Sequence, residues 1–178
     1  MKTKRLVTDA MLIAMYFLLS NYFAVNLGSI RLTLDILPII VGAALFGPLD
    51  GLFIGLIGNF LFQLAGPYGL SITTPLWMLP DGIRGLLVGL FLCRRWGKIK
   101  NPKLAAGLLI ISLIITTLTT GVMYVDCLVF QYSFAAYAPF VVWRYAAAVL
   151  VSILIALFLI PLLKAMIRVV KINGGEPQ

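Results

Sequence analysis

Histidine is missing from all 178 residues, and cysteine occurs only twice, as Cys93 and Cys127. Zinc and haem sites are built from imidazole and thiolate ligands, so the chain has almost nothing from which to assemble one. No metal and no cofactor is expected. Charge is scarce as well: charged residues make up 11% of the chain and acids number six, against about a quarter charged in a soluble domain. No His or Cys dyad and no pair of acids on facing spans is evident, which leaves an intramembrane enzyme with little to work with. The phosphate loop G-x-x-x-x-G-K-[ST] is absent, so ATP is not hydrolysed here in that way. Also missing are the long array of spans, the inverted halves and the interrupted helices of many secondary transporters.

What is abundant is apolar surface. Hydrophobic residues make up 62% of the chain and the mean hydropathy is +1.07, which marks an all-α integral membrane protein. The length allows several spans of about 20 residues and no separate soluble domain. Breakers and charges divide residues 1–178 into six apolar segments of a single membrane domain, at 6–25, 35–46, 50–64, 77–93, 104–124 and 138–168. The first is longer than a signal h-region and lacks a convincing cleavage site after it, so it reads as a permanent span. Between spans lie "NLGSIRLTL", the tight "GPLD" turn at 47–50, "AGPYGLSITTPL", the basic "RRWGKIKNPK" and "VDCLVFQYSFAAYA". Within the first of these, "SIRLTLDI" alternates like a strand and suits a short hairpin over the bundle.

Cations set the orientation. Eleven of the fourteen Lys and Arg residues fall on one side of a six-span arrangement: Lys2, Lys4 and Arg5, then Arg94, Arg95, Lys98, Lys100 and Lys103, then Lys164, Arg168 and Lys171. Positive residues stay in the cytoplasm, which puts both termini inside and the loops 26–34, 65–76 and 125–138 outside. The two cysteines then lie at opposite faces, and no disulfide joins them. The net charge of +8 is a topology signal; nucleic acid is not an expected partner, because the basic groups lack aromatic interleaving and a soluble scaffold. The outer loops are the expected ligand-binding face.

Three cations remain. Arg31 lies in the first outer loop, Arg84 in span four and Arg144 in span six. An Arg within a span costs at least about 2.5 to 3.5 kcal/mol and needs a partner or a wet cavity. Asp81 precedes Arg84 by three residues on one helical face; the pair either neutralises itself or points into an outward cavity and holds a ligand carboxylate or amide. Arg144 has no acid within four residues and either snorkels outward or meets a ligand or another helix. Trp77 and Trp143 fall at belt level, where they also suit stacking on a flat ring. Asn59 and Gln63 form a polar stripe on span three, for interhelical hydrogen bonds or for ligand contact. Tyr68, Thr73, Thr74, Asp126, Gln131 and Tyr132 are further loop candidates.

Ala10 and Ala14, one turn apart in "DAMLIAM", make a small-x-x-x-small stripe near the cytoplasmic end of span one. Such stripes let a second membrane helix approach closely, and also serve internal packing. Together with "IRLTLDILPIIVGAALFGPLDGLFIGLIGNFLF", a Pro-Tyr-Gly loop and "PLWMLPDGIRGLLVGLF", the chain resembles the substrate-binding S components of energy-coupling factor (ECF) vitamin transporters, the folate-type and related members above all. That resemblance implies a multi-pass protein of the prokaryotic cytoplasmic membrane that binds a vitamin or precursor outside. It would deliver the ligand inward with a transmembrane coupling protein, met through Ala10 and Ala14, and two cytoplasmic ATPases, reorienting among the membrane lipids. Arg84, Arg144, Trp77, Trp143, Asn59, Gln63, Tyr68 and Asp81 are the expected ligand contacts. The loop "GPYGLSITTPLW" departs from the folate-type pattern. Two arginines favour an anionic ligand such as folate or pantothenate, while cobalamin or a queuosine-type precursor stays open. The competing readings are a membrane scaffold or assembly subunit without a small-molecule ligand, and an oligomeric facilitator.

Overall fold

The structure, a computed structural model, describes the backbone of residues 2–27, 30–66, 69–93, 101–134 and 137–172, and the side chains of 3–24, 33–66, 69–92, 103–134, 137 and 139–157. Tyr68, the basic residues 94–100 and the side chains of Arg31 and Cys93 lie outside them. The described segments form α1 (Lys2–Tyr22), β1 (Val25–Leu27), β2 (Ile30–Leu32), α2 (Ile36–Phe46), α3 (Pro48–Ala65), α4 (Thr74–Cys93), α5 (Asn101–Val129) and α6 (Ala138–Ile172).

Six helices thus follow the six apolar segments, with instructive differences. Four of them, within α3, α4, α5 and α6, are long and apolar enough to cross a bilayer among the described residues. Helix α2 has 11 residues, and at about 1.5 Å per residue it rises roughly 16 Å, about half of a hydrocarbon core. The segment before it supplies the hairpin expected from the alternation in "SIRLTLDI": β1 and β2 pair antiparallel, with Val25 opposite Leu32 and Leu27 opposite Ile30, and β2 lies against α6. The "GPLD" turn shrinks to Gly47 alone. Gly47 has φ of 109°, which only glycine adopts freely, and Pro48 opens α3 at a position where its missing N–H costs nothing.

Helix α5 runs to Val129, past the expected end at 124. "YVDCLV" contains no breaker, and the stop comes later, where Gln131 takes φ of 58° and the Tyr132 amide donates to the Cys127 carbonyl at 2.9 Å. This is a Schellman closure, with Gln131 in the left-handed position. Asp126 and Cys127 are therefore helical, not loop residues, and Cys127 is buried.

The tightest contact is between α3 and α4, and glycine makes it. A Cβ on Gly85 would strike the Gly51 carbonyl, one on Gly55 the Asp81 carbonyl, and one on Gly89 the backbone of Pro48. The two backbones touch along three turns because no side chains hold them apart, as small residues permit in membranes. Around this seam Ile40, Ala43, Val88, Leu92, Leu108, Ile111, Ile115 and Ile155 form the main core between α2, α4, α5 and α6. A second cluster of Tyr16, Ile39 and Ile54 joins α1 to α2 and α3. At the far end, Arg5 donates to Asp50 at 2.6 Å and to the Phe46 carbonyl at 3.0 Å, tying the basic start of α1 to the α2–α3 turn. Overpacking a close contact costs about 1 to 3 kcal/mol. Gly85→Ala is therefore expected to lower the detergent melting temperature by several degrees, while Gly121→Ala, where an added Cβ meets nothing within 4 Å, leaves it unchanged.

Candidate functional site

Asp81 is the hub of a polar cluster that sits among apolar helices. Its Oδ1 accepts from Arg84 Nη1 at 2.8 Å, the i,i+3 pair that the sequence spacing suggests. Its Oδ2 accepts from the Tyr16 hydroxyl at 2.8 Å and from Asn59 Nδ2 at 2.6 Å. Three helices, α1, α3 and α4, therefore converge on one carboxylate. Both members of the ion pair are mostly buried, with side-chain exposures of 16% and 15%.

The network continues outward. Gln63 Nε2 donates to Asn59 Oδ1 at 3.1 Å, and the Thr74 hydroxyl donates to Gln63 Oε1 at 3.3 Å. Thr74 in turn accepts from the Ser71 amide at 2.9 Å. The Thr73 hydroxyl gives its single proton to Asp126 Oδ1 at 2.5 Å, so Ser71 Oγ, 2.9 Å away, is the donor to Thr73. Trp77 Nε1 also reaches Asp126 Oδ1, at 3.4 Å. The expected Asn59–Gln63 stripe and the start of α4 are thus one system, closed on α5 by Asp126.

Two parts of the cluster escaped the sequence reading. Tyr16 is 1% exposed, and Ser20, one turn on, donates to Asp35 at 2.9 Å. Their four-residue spacing is the same kind of signal as Asn59 and Gln63, hidden because Tyr16 lies in the apolar string "AMYFLL". Asp35 is the residue before α2, yet its carboxylate does not cap that helix. It accepts from Ser20 and from Thr33 at 2.7 Å instead. Beneath Arg84 lies a cavity of about 20 Å³ lined by Arg84, Ser112 and Ser152 and by Ile36, Ile40, Val88, Leu108, Ile111 and Ile155.

The other expected residues lie apart. Arg144 is half-buried and donates to Met123 Sδ at 3.1 Å, with no carboxylate partner among the described residues. Trp143 is 65% exposed on the outward side of α6. Ala10 and Ala14 are exposed on α1, beside Val7, Met11, Met15 and Leu18, on the side away from Tyr16. Among the described residues no group of three His, Cys, Asp or Glu side chains comes together that could hold a metal.

An apolar helical bundle enclosing a hydrogen-bonded polar cluster defines a membrane protein built around an internal polar site. Two solved structures share its fold. One is the S component of a bacterial ECF transporter, with a TM-score of 0.67 at 20% identity, covering 93% of this chain and 99% of that one. The other is FolT bound with folic acid, with a TM-score of 0.68 at 19% identity, covering 88% and 89%. The chain is also 33% identical over 108 residues to a UPF0397 protein of Leuconostoc citreum (strain KM20), a match spanning 57% of this chain and 55% of that protein. The family of ECF transporter substrate-specific components matches residues 4–170, and the chain belongs to that family. It is a transporter component and not an enzyme.

Removing the charge of Asp81 strands the Arg84 guanidinium among apolar helices. Breaking such a buried pair costs about 3 to 5 kcal/mol. Asp81→Asn is expected to destabilise the protein on that scale in detergent melts, and Asp81→Asn with Arg84→Gln to recover much of the loss.

Proposed function

We propose that the chain is the ligand-binding subunit of an ECF-type importer in a prokaryotic cytoplasmic membrane, one six-span domain with both termini inside. It takes up a water-soluble vitamin or precursor from the outer side and passes it inward with a coupling protein and two ATPases. The observation that carries this reading is the division of α1 into two faces. Tyr16 and Ser20 engage the polar cluster, while Ala10 and Ala14 lie exposed in an apolar stripe near the basic end. Small exposed residues at this spacing suit close approach by a partner helix. Arg5, anchored on Asp50 beside the α2–α3 turn, supports a common cytoplasmic end for these elements.

For the ligand, Arg84 and Asp81 with Asn59 and Gln63 form the inner contacts, and Trp77, Arg144, Trp143 and Tyr68 the outer ones. The likeness to FolT supports a folate-like ligand; pantothenate and cobalamin are the other candidates. The scaffold reading requires every intramembrane charge to be internally paired. Asp81 meets that requirement for Arg84, whereas Arg144 has only a thioether acceptor among the described residues, which favours the transport reading.

Ala14→Trp is expected to abolish ATP-dependent vitamin uptake into cells or proteoliposomes while the purified subunit keeps its ligand affinity within about twofold, since each 1.4 kcal/mol is tenfold and Ala14 is exposed on the face of α1 away from Tyr16. Loss of both functions, or of neither, sinks the docking role of α1.

A further inference from the structure

Asp9 stands in the second turn of α1, and its Oδ1 is buried with no hydrogen-bond partner among the described residues. The neighbouring hydroxyl, on Thr8, is spent on the Lys4 carbonyl at 2.9 Å. Arg5 lies one turn earlier, at the i,i+4 spacing that brings side chains together on a helix. Its guanidinium is nevertheless directed off α1. Nε donates to Asp50 Oδ2 at 2.6 Å, Nη2 donates to the Phe46 carbonyl at 3.0 Å, and the group lies 6.0 Å from the centre of the Phe46 ring. All of these contacts are on the α2–α3 corner. Two carboxylates are thus within electrostatic reach of one guanidinium, and only Asp50 is bonded to it.

The two acids differ in what each loses without that cation. Asp50 lies in the first turn of α3, whose N-cap Gly47 has no side chain to offer. Free amides and the helix dipole favour an anion at such an end, so Asp50 keeps compensation of its own. Asp9 has none, and a carboxylate oxygen held out of water without a donor is costly. Asp50 nevertheless holds Arg5 in this structure. A base placed before an acid at i,i+4 is the weaker helical order, and the corner adds the Phe46 carbonyl and ring. The bond sits at the rim of the bundle, with the Arg5 side chain 41% exposed, where water competes for it. Each pairing is favoured by interactions the other lacks, and passing between them takes the swing of one side chain across one turn.

We propose that Arg5 is an exchangeable latch: it binds Asp50 when the basic end of α1 is seated on the α2–α3 corner, and Asp9 when that end is released. In the released form α1 carries its own counterion, and Asp50 remains at the start of α3. Tyr16 and Ser20 bond the farther half of α1 to Asp81 and Asp35, which confines the release to the segment before them, where Ala10 lies. The exchange belongs to the isolated chain and is independent of the transport reading; on that reading, the released segment is the one offered to the partner.

Pulsed electron spin resonance on the full chain in lipid nanodiscs tests it, with spin labels at the exposed positions Thr3 on α1 and Leu90 on α4 and with Cys93 and Cys127 replaced by alanine. Asp50→Asn is expected to move the main population to a longer distance, as Arg5 leaves the corner for Asp9. Asp9→Asn is expected to leave only the short distance of the seated form. With both substitutions Arg5 has neither acid, and the distances are expected to spread without a defined maximum. Detergent melts of the unlabelled chain give a second readout. Asp50→Asn is expected to lower the melting temperature by a few degrees, and the double variant to lose more than the two single losses together, because Asp9 buffers the first change. A distance in Asp50→Asn equal to the parent's overturns the latch, and so does the same trace for Asp50→Asn with and without Asp9→Asn. Additive melting losses overturn it as well, since acids that share one cation are coupled. None of these measurements involves ligand or uptake, so the transport reading stands whichever result is found.

Discussion

The close approach of α3 and α4 is the constraint from which the interior follows. Gly51, Gly55, Gly85 and Gly89 leave no side chains in the seam, so the backbones touch. That approach brings Asn59 of α3 within 2.6 Å of Asp81 on α4. A side chain at Gly55 would push against the Asp81 carbonyl and carry the carboxylate away from its donors. Packing and polar satisfaction are therefore one problem here: the seam that maximises dispersion contacts is also what lets three helices share an acid.

That shared acid makes Arg84 tolerable inside the bundle. Asp81 neutralises one edge of the guanidinium, and Tyr16 and Asn59 satisfy the carboxylate oxygen that Arg84 does not use. Buried ion pairs seldom stabilise by themselves; their worth lies in geometry and in every lone pair being met. Here the pairing holds α1, α3 and α4 in one arrangement. The same helix α1 that donates through Tyr16 carries the exposed Ala10 and Ala14, so the polar cluster and that exposed apolar face share one helix.

Helix α2 shows how a short element is accommodated. Its 11 residues do not span the core, and the β1–β2 hairpin and Thr33 continue the path instead. Exposed backbone groups are not tolerated in lipid. The strands pair with each other, β2 packs on α6, and Asp35 is bonded to Ser20 of α1. Asp35 thereby joins the hairpin to α1 instead of capping its own helix.

Much of this was written in the sequence, because hydropathy, breakers and charge act locally. Composition specified a membrane protein, Pro and Gly placed the Gly47 turn, alternation marked the hairpin, and a three-residue spacing predicted the Asp81–Arg84 pair. Asn59 and Gln63 declared themselves by being polar in an apolar helix. The tertiary structure decided the rest, because it depends on which faces meet. No spacing connects Tyr16 to Asp81 across 65 positions, or Thr73 to Asp126 across 53. Nor does any local pattern bring Ser112 and Ser152 to the cavity beneath Arg84, since serines in apolar helices commonly bond their own preceding turn. Local physics determined which residues were polar and helical; the fit of one helix against another decided which of them share a site.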